Sequence, residues 1–219
     1  MNGSISIAID GPAGAGKSTI AKIVANRLEI DYIDTGAMYR AFTYKLLCKN
    51  IDFNDEKTIL KELEDTLIDF RENHIYLDGK IVDKQIRDNI INQNVSYIAK
   101  IKEIRDGMVR IQRNIAKDKS IVMDGRDIGT VVLPNADYKF FIVASIEERA
   151  KRRYKDLLEK GETTITLEQV KEELEKRDTI DSTREIAPLI KAENAIEVDT
   201  TNQTIEESVD TILKIIEGR

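Results

Sequence analysis

The sequence predicts an α/β protein built on a five-stranded parallel sheet with flanking helices, and three observations support this fold class. Short apolar runs typical of buried strands alternate with longer helical patterns. A glycine-rich turn joins the first run to a helix, as in a regular βα unit. The chain has 219 residues, of which 41% are hydrophobic and 34% are charged, so it can bury a substantial core. We therefore expect a single domain over residues 1–219.

The predicted strands are the five apolar runs. They lie at residues 4–10, 30–33, 120–124, 138–144 and 195–199. Helical patterns separate them, and parallel strands need such crossover connections. No internal repeat, low-complexity tract or Pro-rich linker interrupts this order.

The segment IAIDGPAGAGKSTIAKIVANRL contains a phosphate-binding motif. Residues 11–18 match G-x-x-x-x-G-K-[ST] and stand between a predicted strand and a predicted helix at residues 19–28. Glycines and small residues let consecutive backbone N–H groups curl around phosphate oxygens at a helix N-terminus. Lys17 would neutralise the β- and γ-phosphates, and the Ser18 hydroxyl would ligate Mg²⁺. The predicted triphosphate-binding residues are Gly11, Pro12, Ala13, Gly14, Ala15, Gly16, Lys17, Ser18 and Thr19.

Composition and charge argue against several classes of protein. A net charge of −6 gives no support for general nucleic-acid binding. Cys48 and His74 are each the only residue of their type, which excludes an intrachain disulfide and a zinc site built on Cys or His ligands. A histidine-based nucleophilic triad would need His74. The start of the chain does not resemble a signal peptide, and no apolar run of membrane-spanning length occurs. We expect a cytoplasmic protein, and a monomer because no zipper pattern is present.

Two segments do not fit a regular βα unit. Residues 56–94 contain HIYLDGKIV, in which Asp78-Gly79 predicts an antiparallel hairpin with a type I′ turn. We expect a small inserted subdomain there. Residues 147–184 are strongly charged and helical in pattern, which indicates a mobile lid. The predicted core comprises residues 1–55, 95–146 and 185–219.

An apolar stripe between the two insertions predicts one long amphipathic helix. Its members are Ile91, Val95, Ile98, Ile101, Ile104, Met108, Ile111 and Ile115. We interpret the stripe as core packing, which leaves Ser96 and Arg105 on other flanks and free to reach elsewhere.

Polar residues follow the second and third predicted strands. DTGAMYR ends in Arg40, and MDGRDIGTVVLP places Asp124, Arg126 and Asp127 directly after the third strand. Since ligands bind beyond the carboxyl ends of strands in open α/β sheets, we expect both segments on the rim that carries the phosphate motif. Asp124 would hold Mg²⁺ or its waters, although it could equally be a simple strand cap.

The lid segment carries charges at helical spacing. One set, in EERAKRRYK, is Arg149, Arg152 and Arg153. We expect at least one of these arginines to serve only as a solvated charge. A second set, in KRDTIDSTREIAPL, is Arg177, Asp181 and Arg184. If helical, these three side chains project in one direction, unless they pair with one another.

Four stretches together, DGPAGAGKST, DTGAMYR, DGRDIGTVV and RDTIDSTREIAPL, resemble the cytidylate kinases of the bacterial type. The resemblance runs from about residue 5 to residue 216. The first stretch is shared by many phosphate-loop proteins, and the other three are more specific. The resemblance implies transfer of the γ-phosphoryl group of ATP to CMP or dCMP with Mg²⁺. It also implies a P-loop NTPase-type sheet in strand order 2-3-1-4-5, with an inserted nucleotide-binding subdomain.

The same resemblance implies a role for individual residues. Ser96, Arg105 and Asp127 would face the cytosine. The sugar hydroxyls would meet Arg177 and Asp181. The implied CMP-binding set is Thr35, Arg40, Ser96, Arg105, Arg126, Asp127, Arg177, Asp181 and Arg184. The implied catalytic set is Lys17, Arg126, Arg153 and Arg184, and the implied metal set is Ser18 and Asp124.

The chemistry agrees with these residue types, and two alternatives stay open. Aspartate can accept from the cytosine amino group and arginine can donate to the ring acceptors, whereas UMP would leave polar groups unpaired. Phosphoryl transfer needs positioning and cations rather than a histidine base. One alternative is a related small-molecule kinase acting on UMP, AMP or shikimate. The other is a regulatory P-loop GTPase, which would need N-K-x-D and D-x-x-G segments that the chain lacks.

Overall fold

The computed structural model describes residues 4–71 and 74–218. The strands of this part of the chain are β1 (Ser6–Asp10), β2 (Asp31–Asp34), β3 (Ile68–Arg71), β4 (His74–Leu77), β5 (Lys80–Ile81), β6 (Ile121–Gly125), β7 (Tyr138–Val143) and β8 (Ile196–Asp199). Its α-helices are α1 (Lys17–Leu28), α2 (Thr35–Cys48), α3 (Glu56–Glu64), α4 (Asn89–Ala99), α5 (Lys102–Ala116), α6 (Ile146–Glu159), α7 (Leu167–Thr183) and α8 (Ile205–Ile216). None of these helices is long and apolar enough to cross a membrane.

The central sheet confirms the predicted α/β class. Its strands run parallel in the order β2-β6-β1-β7-β8, which is the second, third, first, fourth and fifth of the five along the chain. The bounds of all five closely match the apolar runs. Ile7, Ala8 and Ile9 of β1 are fully buried, as expected for a parallel strand with helices on both faces of the sheet.

Helices cover the two faces of the sheet. On one face, Val24 of α1 and Ile212 of α8 pack with Phe140 of β7 in one apolar cluster. On the other face, Met123 of β6 packs against Val109 of α5. Because both faces are covered, only the ends of the strands are open for a site.

The inserted segment forms a second sheet of three strands, β3-β4-β5, all antiparallel. The predicted hairpin is confirmed, because Asp78 and Gly79 have φ values of 49° and 78°, as a type I′ turn requires. Lys45 of α2 donates to the Asp78 carboxylate at 2.7 Å and to the Asp65 carbonyl at 2.9 Å, which ties the hairpin to the core. Strand β3 was missed because its alternation of Ile68 and Phe70 with two charged residues extends over only four positions.

The charged segment forms helices α6 and α7, as its pattern predicts. Ala150 and Leu157 of α6 pack against Val170 and Leu174 of α7. The division into core, insert and lid stays a prediction, and so does the motion of the lid. The predicted domain ends at residues 1–3 and 219, and residues 72–73 of the insert, lie outside the described residues.

The prediction of one long helix between the insertions is wrong, because the stripe is divided between α4 and α5. Ile101 has an extended backbone, with φ −70° and ψ 123°, and separates the two. The carbonyl of Ala99, freed by this break, accepts a hydrogen bond from Arg105 Nη1 at 3.1 Å. Apolar spacing does not reveal the break, since Ile98, Ile101 and Ile104 all face the same cluster.

Candidate active site

An open cleft of about 1000 Å³ lies at the carboxyl ends of the central strands. The predicted CMP-binding, catalytic and metal residues all line it. Of the phosphate motif, Gly11, Pro12 and Ala15 are not among the lining residues, whereas the other members are. The structure therefore brings together segments that are far apart in the chain.

The phosphate loop precedes α1 and depends on glycine. A Cβ on Gly11, whose φ is 147°, would lie 2.0 Å from the carbonyl oxygen of Ile142. Gly16, with φ 88°, stands immediately before the helix. Both positions exclude an ordinary side chain, one by close approach and one by its left-handed backbone. The loop thus delivers backbone N–H groups to the N-terminus of α1, where anions are favoured.

Lys17 is buried beside this loop. Its Nζ donates to the Pro12 carbonyl at 2.7 Å. Burial, together with the nearby charge of Arg126, lowers the pKa of Lys17 to about 7. A phosphate placed beside the amine would favour its charged form.

Ser18 and Asp124 form a pair of oxygen ligands suited to Mg²⁺. The Ser18 hydroxyl donates to Asp124 Oδ2 at 2.7 Å, and the Tyr32 hydroxyl donates to Asp124 Oδ1 at 2.8 Å. Burial, reinforced by the charge of Asp34, raises the pKa of Asp124 to about 6. The described residues contain no cluster of three or more His, Cys, Asp or Glu placed to hold a metal. A hydroxyl and one carboxylate fit Mg²⁺, which takes its other ligands from water and phosphates.

Asp127 is the centre of one charged cluster in the cleft. It forms an ion pair with Arg105 of α5, and Arg184 Nη2 lies 3.8 Å from its other oxygen. All three side chains are almost completely buried. A buried carboxylate between two guanidinium groups presents both acceptors and donors to a ligand.

Asp181 is the centre of a second cluster. Its carboxylate accepts from Arg126 Nε and from the Ser96 hydroxyl, each at 2.9 Å, and Arg177 Nε lies 4.0 Å away. Although burial acts to raise the pKa of Asp181, the surrounding arginines hold it below the usual value. Burial and Arg126 lower the pKa of Arg177 to about 10.

The predicted helical row of Arg177, Asp181 and Arg184 is only partly correct. Helix α7 ends at Thr183, and Arg184 has an extended backbone with φ −61° and ψ 141°. Because the backbone leaves the helix at Arg184, this side chain extends to Asp127 and does not lie on the helical face that carries Asp181. These charges do form ion pairs, but their partners include residues of other elements: Asp181 pairs with Arg126, and Arg184 lies beside Asp127.

Arg40 and Thr35 lie on the DTGAMYR segment at the start of α2. Asp34 caps this helix by accepting from the Ala37 N–H at 2.9 Å, and its other oxygen pairs with Arg40 Nη2 at 2.6 Å. The Thr35 hydroxyl donates to the Asp124 carbonyl at 2.7 Å. The Thr35 hydroxyl, which was predicted to contact CMP, is therefore hydrogen-bonded to the main chain beside the Ser18–Asp124 pair.

The three lid arginines have different partners, and none is only a solvated charge, so that expectation is wrong. Arg149 is buried and pairs with Asp178. Arg152 Nη2 donates to the Thr200 carbonyl at 2.7 Å. The third, Arg153, donates to Asn89 Oδ1 at 3.0 Å and lines the cleft.

Sequence reasoning missed Asp10 at the end of β1. Its two carboxylate oxygens accept the N–H groups of Ile128 and Gly129 at 2.8 and 2.7 Å. These bonds hold the π-helical turn Ile128–Val132, which directly follows Arg126 and Asp127. Burial raises the pKa of Asp10 to about 6. An acid that closes an apolar strand beside the motif was the available signal.

Comparisons with known proteins agree with this architecture. The family model for cytidylate kinase matches residues 7–218. The chain is 56% identical to a cytidylate kinase of Clostridioides difficile (strain 630), over 98% of this chain and 99% of that protein. It is 53% identical to a cytidylate kinase of Alkaliphilus oremlandii (strain OhILAs), over 98% of each. A solved structure of an uncharacterized protein from Eubacterium ventriosum ATCC 27560 has a similar fold, with a TM-score of 0.53 at 15% identity and 99% coverage of both chains. The family match and the two relatives show that this chain belongs to the cytidylate kinase family.

Proposed function

We propose that the protein transfers the γ-phosphoryl group of ATP to the phosphate of CMP or dCMP, giving CDP or dCDP and ADP. Family membership supports this reaction. The structural observation that links the reaction to particular residues is the pair of buried Arg–Asp clusters, which line the same cleft as the phosphate loop. A site with a phosphate loop on one side and fixed cations on the other suits a phosphate acceptor.

The donor half of the cleft holds the triphosphate. Backbone N–H groups of the loop and the Lys17 ammonium would bind the phosphate oxygens, and Ser18 and Asp124 would hold Mg²⁺. Mg²⁺ held there would neutralise negative charge that develops on the phosphates during transfer. Tyr32 orients the Asp124 carboxylate through its hydrogen bond.

The acceptor half reads the nucleotide. Arg105 and Asp127 offer a donor and an acceptor to the cytosine edge, together with Ser96. Arg177 and Asp181 take the sugar. Arg40, Arg126 and Arg184 bind the acceptor phosphate. Uracil would leave a buried donor or acceptor unpaired, and buried unpaired groups are costly.

The arrangement supplies cations rather than a catalytic base. The attacking oxygen belongs to a phosphate that is already largely ionised at neutral pH. Two polyanions must approach each other, so Lys17, Arg126, Arg153 and Arg184 lower the repulsion and stabilise the transferring group. Closure of helices α6 and α7 over the cleft would exclude water and suppress hydrolysis of ATP. ATPase activity that is unchanged by CMP would contradict this last step.

The test is a coupled assay of ADP formation with Mg-ATP and one acceptor at a time: CMP, dCMP, UMP, AMP or shikimate. We expect turnover with CMP and dCMP, and its loss in Asp127→Ala and Arg184→Met. Turnover with UMP or AMP alone would preserve the kinase and reject the cytosine pocket. ATP cleavage independent of every acceptor would reject the enzyme class. The monomeric state and the cytoplasmic location stay predictions.

A further inference from the structure

One residue of the phosphate loop, Ala13, is held at both of its main-chain polar groups by a single ion pair. The N–H of Ala13 donates to Asp178 Oδ1 at 3.2 Å. The carbonyl of the same residue accepts from Arg149 Nη1 at 3.0 Å. Arg149 and Asp178 also bond directly to each other. The three residues thus form a closed ring of hydrogen bonds, which we call the Ala13 clamp.

The clamp joins the loop to both helices of the lid segment. Arg149 lies in the first turn of α6, and Asp178 lies in the last two turns of α7. Asp178 directly follows Arg177 in the chain and lies one turn before Asp181, and both of these line the acceptor pocket. The loop, the base of the lid and the acceptor pocket are therefore linked through a few bonded residues.

Burial and packing show that the clamp is a built feature. The side chains of Arg149 and Asp178 are only 9% and 20% exposed. A second arginine nitrogen, Nε, donates to the Ala144 carbonyl at 3.0 Å and fixes the guanidinium plane. A Cβ on Gly14 would lie 3.2 Å from Arg149 Cβ, so the loop lies directly against α6. Charge-assisted hydrogen bonds in such a position are stronger than those between neutral groups.

We propose that Arg149 and Asp178 are a positioning pair for phosphoryl transfer, which holds Ala13 and thereby sets the curvature of the phosphate loop for the nucleotide's phosphates. Neither side chain needs to touch substrate. The proposal depends on the proposed function in one respect, that the phosphate loop binds a nucleotide. It can therefore be tested without an acceptor.

The two partners can be altered conservatively. Asp178→Asn keeps the shape of the side chain but removes the charge. Arg149→Lys keeps the charge but cannot reach Ala13, Asp178 and Ala144 from one rigid fork. Each change removes charge-assisted bonds, so we expect ADP to bind about tenfold more weakly or worse. Neither residue lines the cleft, so we expect the affinity for CMP to stay within about twofold.

The experiment is calorimetric titration of the full chain, with ADP and separately with CMP, for the parent, both single variants and the double variant. Because the pair acts as one unit, the double variant should bind ADP no more than about twofold more weakly than the weaker single variant. The matched control is the exposed pair on α6, tested as Lys155→Met with Glu159→Gln, which should change neither affinity. Thermal melting without ligand measures any general loss of stability.

The outcomes separate this proposal from its alternatives. Unchanged ADP affinity in folded variants would overturn it, and so would strictly additive losses in the double variant. Equal losses of ADP and CMP affinity that follow the melting temperature would assign Arg149 and Asp178 a purely structural role. If a variant does not fold, Asp178→Glu, which keeps the charge at a changed reach, provides the same comparison of the two ligands. Failure of the parent chain to bind CMP, with ADP binding intact, would reject the acceptor assignment and leave the clamp standing.

Discussion

The donor and acceptor halves of the cleft are constructed in different ways. The donor half is built mainly on one continuous loop, residues 11–18, whose backbone conformation depends on glycines, and Asp124 of β6 joins it through Ser18. The acceptor half is made of side chains from α2, α4, α5, α7 and the turn after β6, and its charged clusters pair across the fold. Partners in the acceptor half lie as far apart in the chain as Ser96 and Asp181, which are 85 positions apart.

This difference decides how each half can be damaged. A backbone site is disturbed by any added side-chain atom, because the space it needs is already occupied. A site of paired charges is disturbed by the loss of one charge, because the other is left buried without compensation. Variants of the two halves should therefore fail in different ways and by different amounts.

Removal of the donor-side cation should have the largest effect. We expect Lys17→Met to lower kcat by about 10³-fold, because the variant loses a buried cation that acts on the transferring phosphoryl group. The KM for CMP should change little, since the acceptor clusters do not include Lys17. Steady-state kinetics measure both quantities, and Lys151→Met, an exposed position on α6, serves as the control. A kcat within tenfold of the parent value would contradict the assigned role.

Addition of one methyl group to the loop should cost nearly as much. In Gly11→Ala, the new Cβ would clash with the Ile142 carbonyl oxygen, and alanine would have to adopt a φ of 147°. We therefore expect the free energy of unfolding to fall by about 3 kcal/mol. Gly161→Ala is the matched control, because φ is 86° there but the space is open, and its cost should be about 1 kcal/mol. Urea denaturation compares the two variants. Equal costs would show that close packing of the loop is unimportant.

A change of charge in the acceptor half should alter selectivity. In Asp127→Asn, the side chain can donate as well as accept, so we expect the preference for CMP over UMP, as a ratio of kcat/KM values, to fall by about 10²-fold. Asp106→Asn is the control, since Asp106 forms an exposed pair with Lys102 on α5. A preference that is unchanged while overall activity falls would mean that Asp127 supports the pocket without reading the base.

The smallest expected effect concerns protons. With a pKa of about 7, Lys17 is mostly neutral at pH 8 in the free protein. Bound phosphates favour the ammonium form and raise this pKa, so ADP binding should take up a fraction of a proton at pH 8, and affinity should decline as pH rises above 7. Calorimetry in two buffers of different ionisation enthalpy measures the uptake, which Lys17→Met should abolish. Release of protons on ADP binding at pH 8 would contradict the expected rise in the pKa of Lys17.

Local patterns predicted the parts of the molecule that depend on neighbouring residues. The phosphate loop, the Asp78-Gly79 turn and the buried strands each rest on a few consecutive side chains or on backbone freedom, so their sequences were sufficient. The break at Ile101 was missed because the apolar period continues across it. Nothing local distinguishes Arg149 from Arg152 and Arg153, since all three stand on one helical turn with similar neighbours.

The sequence alone therefore determined the class of fold, the phosphate loop and, through family resemblance, the reaction to be expected. The pairing of the charges is visible only in the folded protein: Arg105 pairs with Asp127, Arg126 with Asp181, and Arg149 with Asp178. The physical reason is the range of the interactions. Backbone conformation and apolar period are properties of short segments, whereas the partner of a buried charge is set by the packing of elements that are distant in the chain.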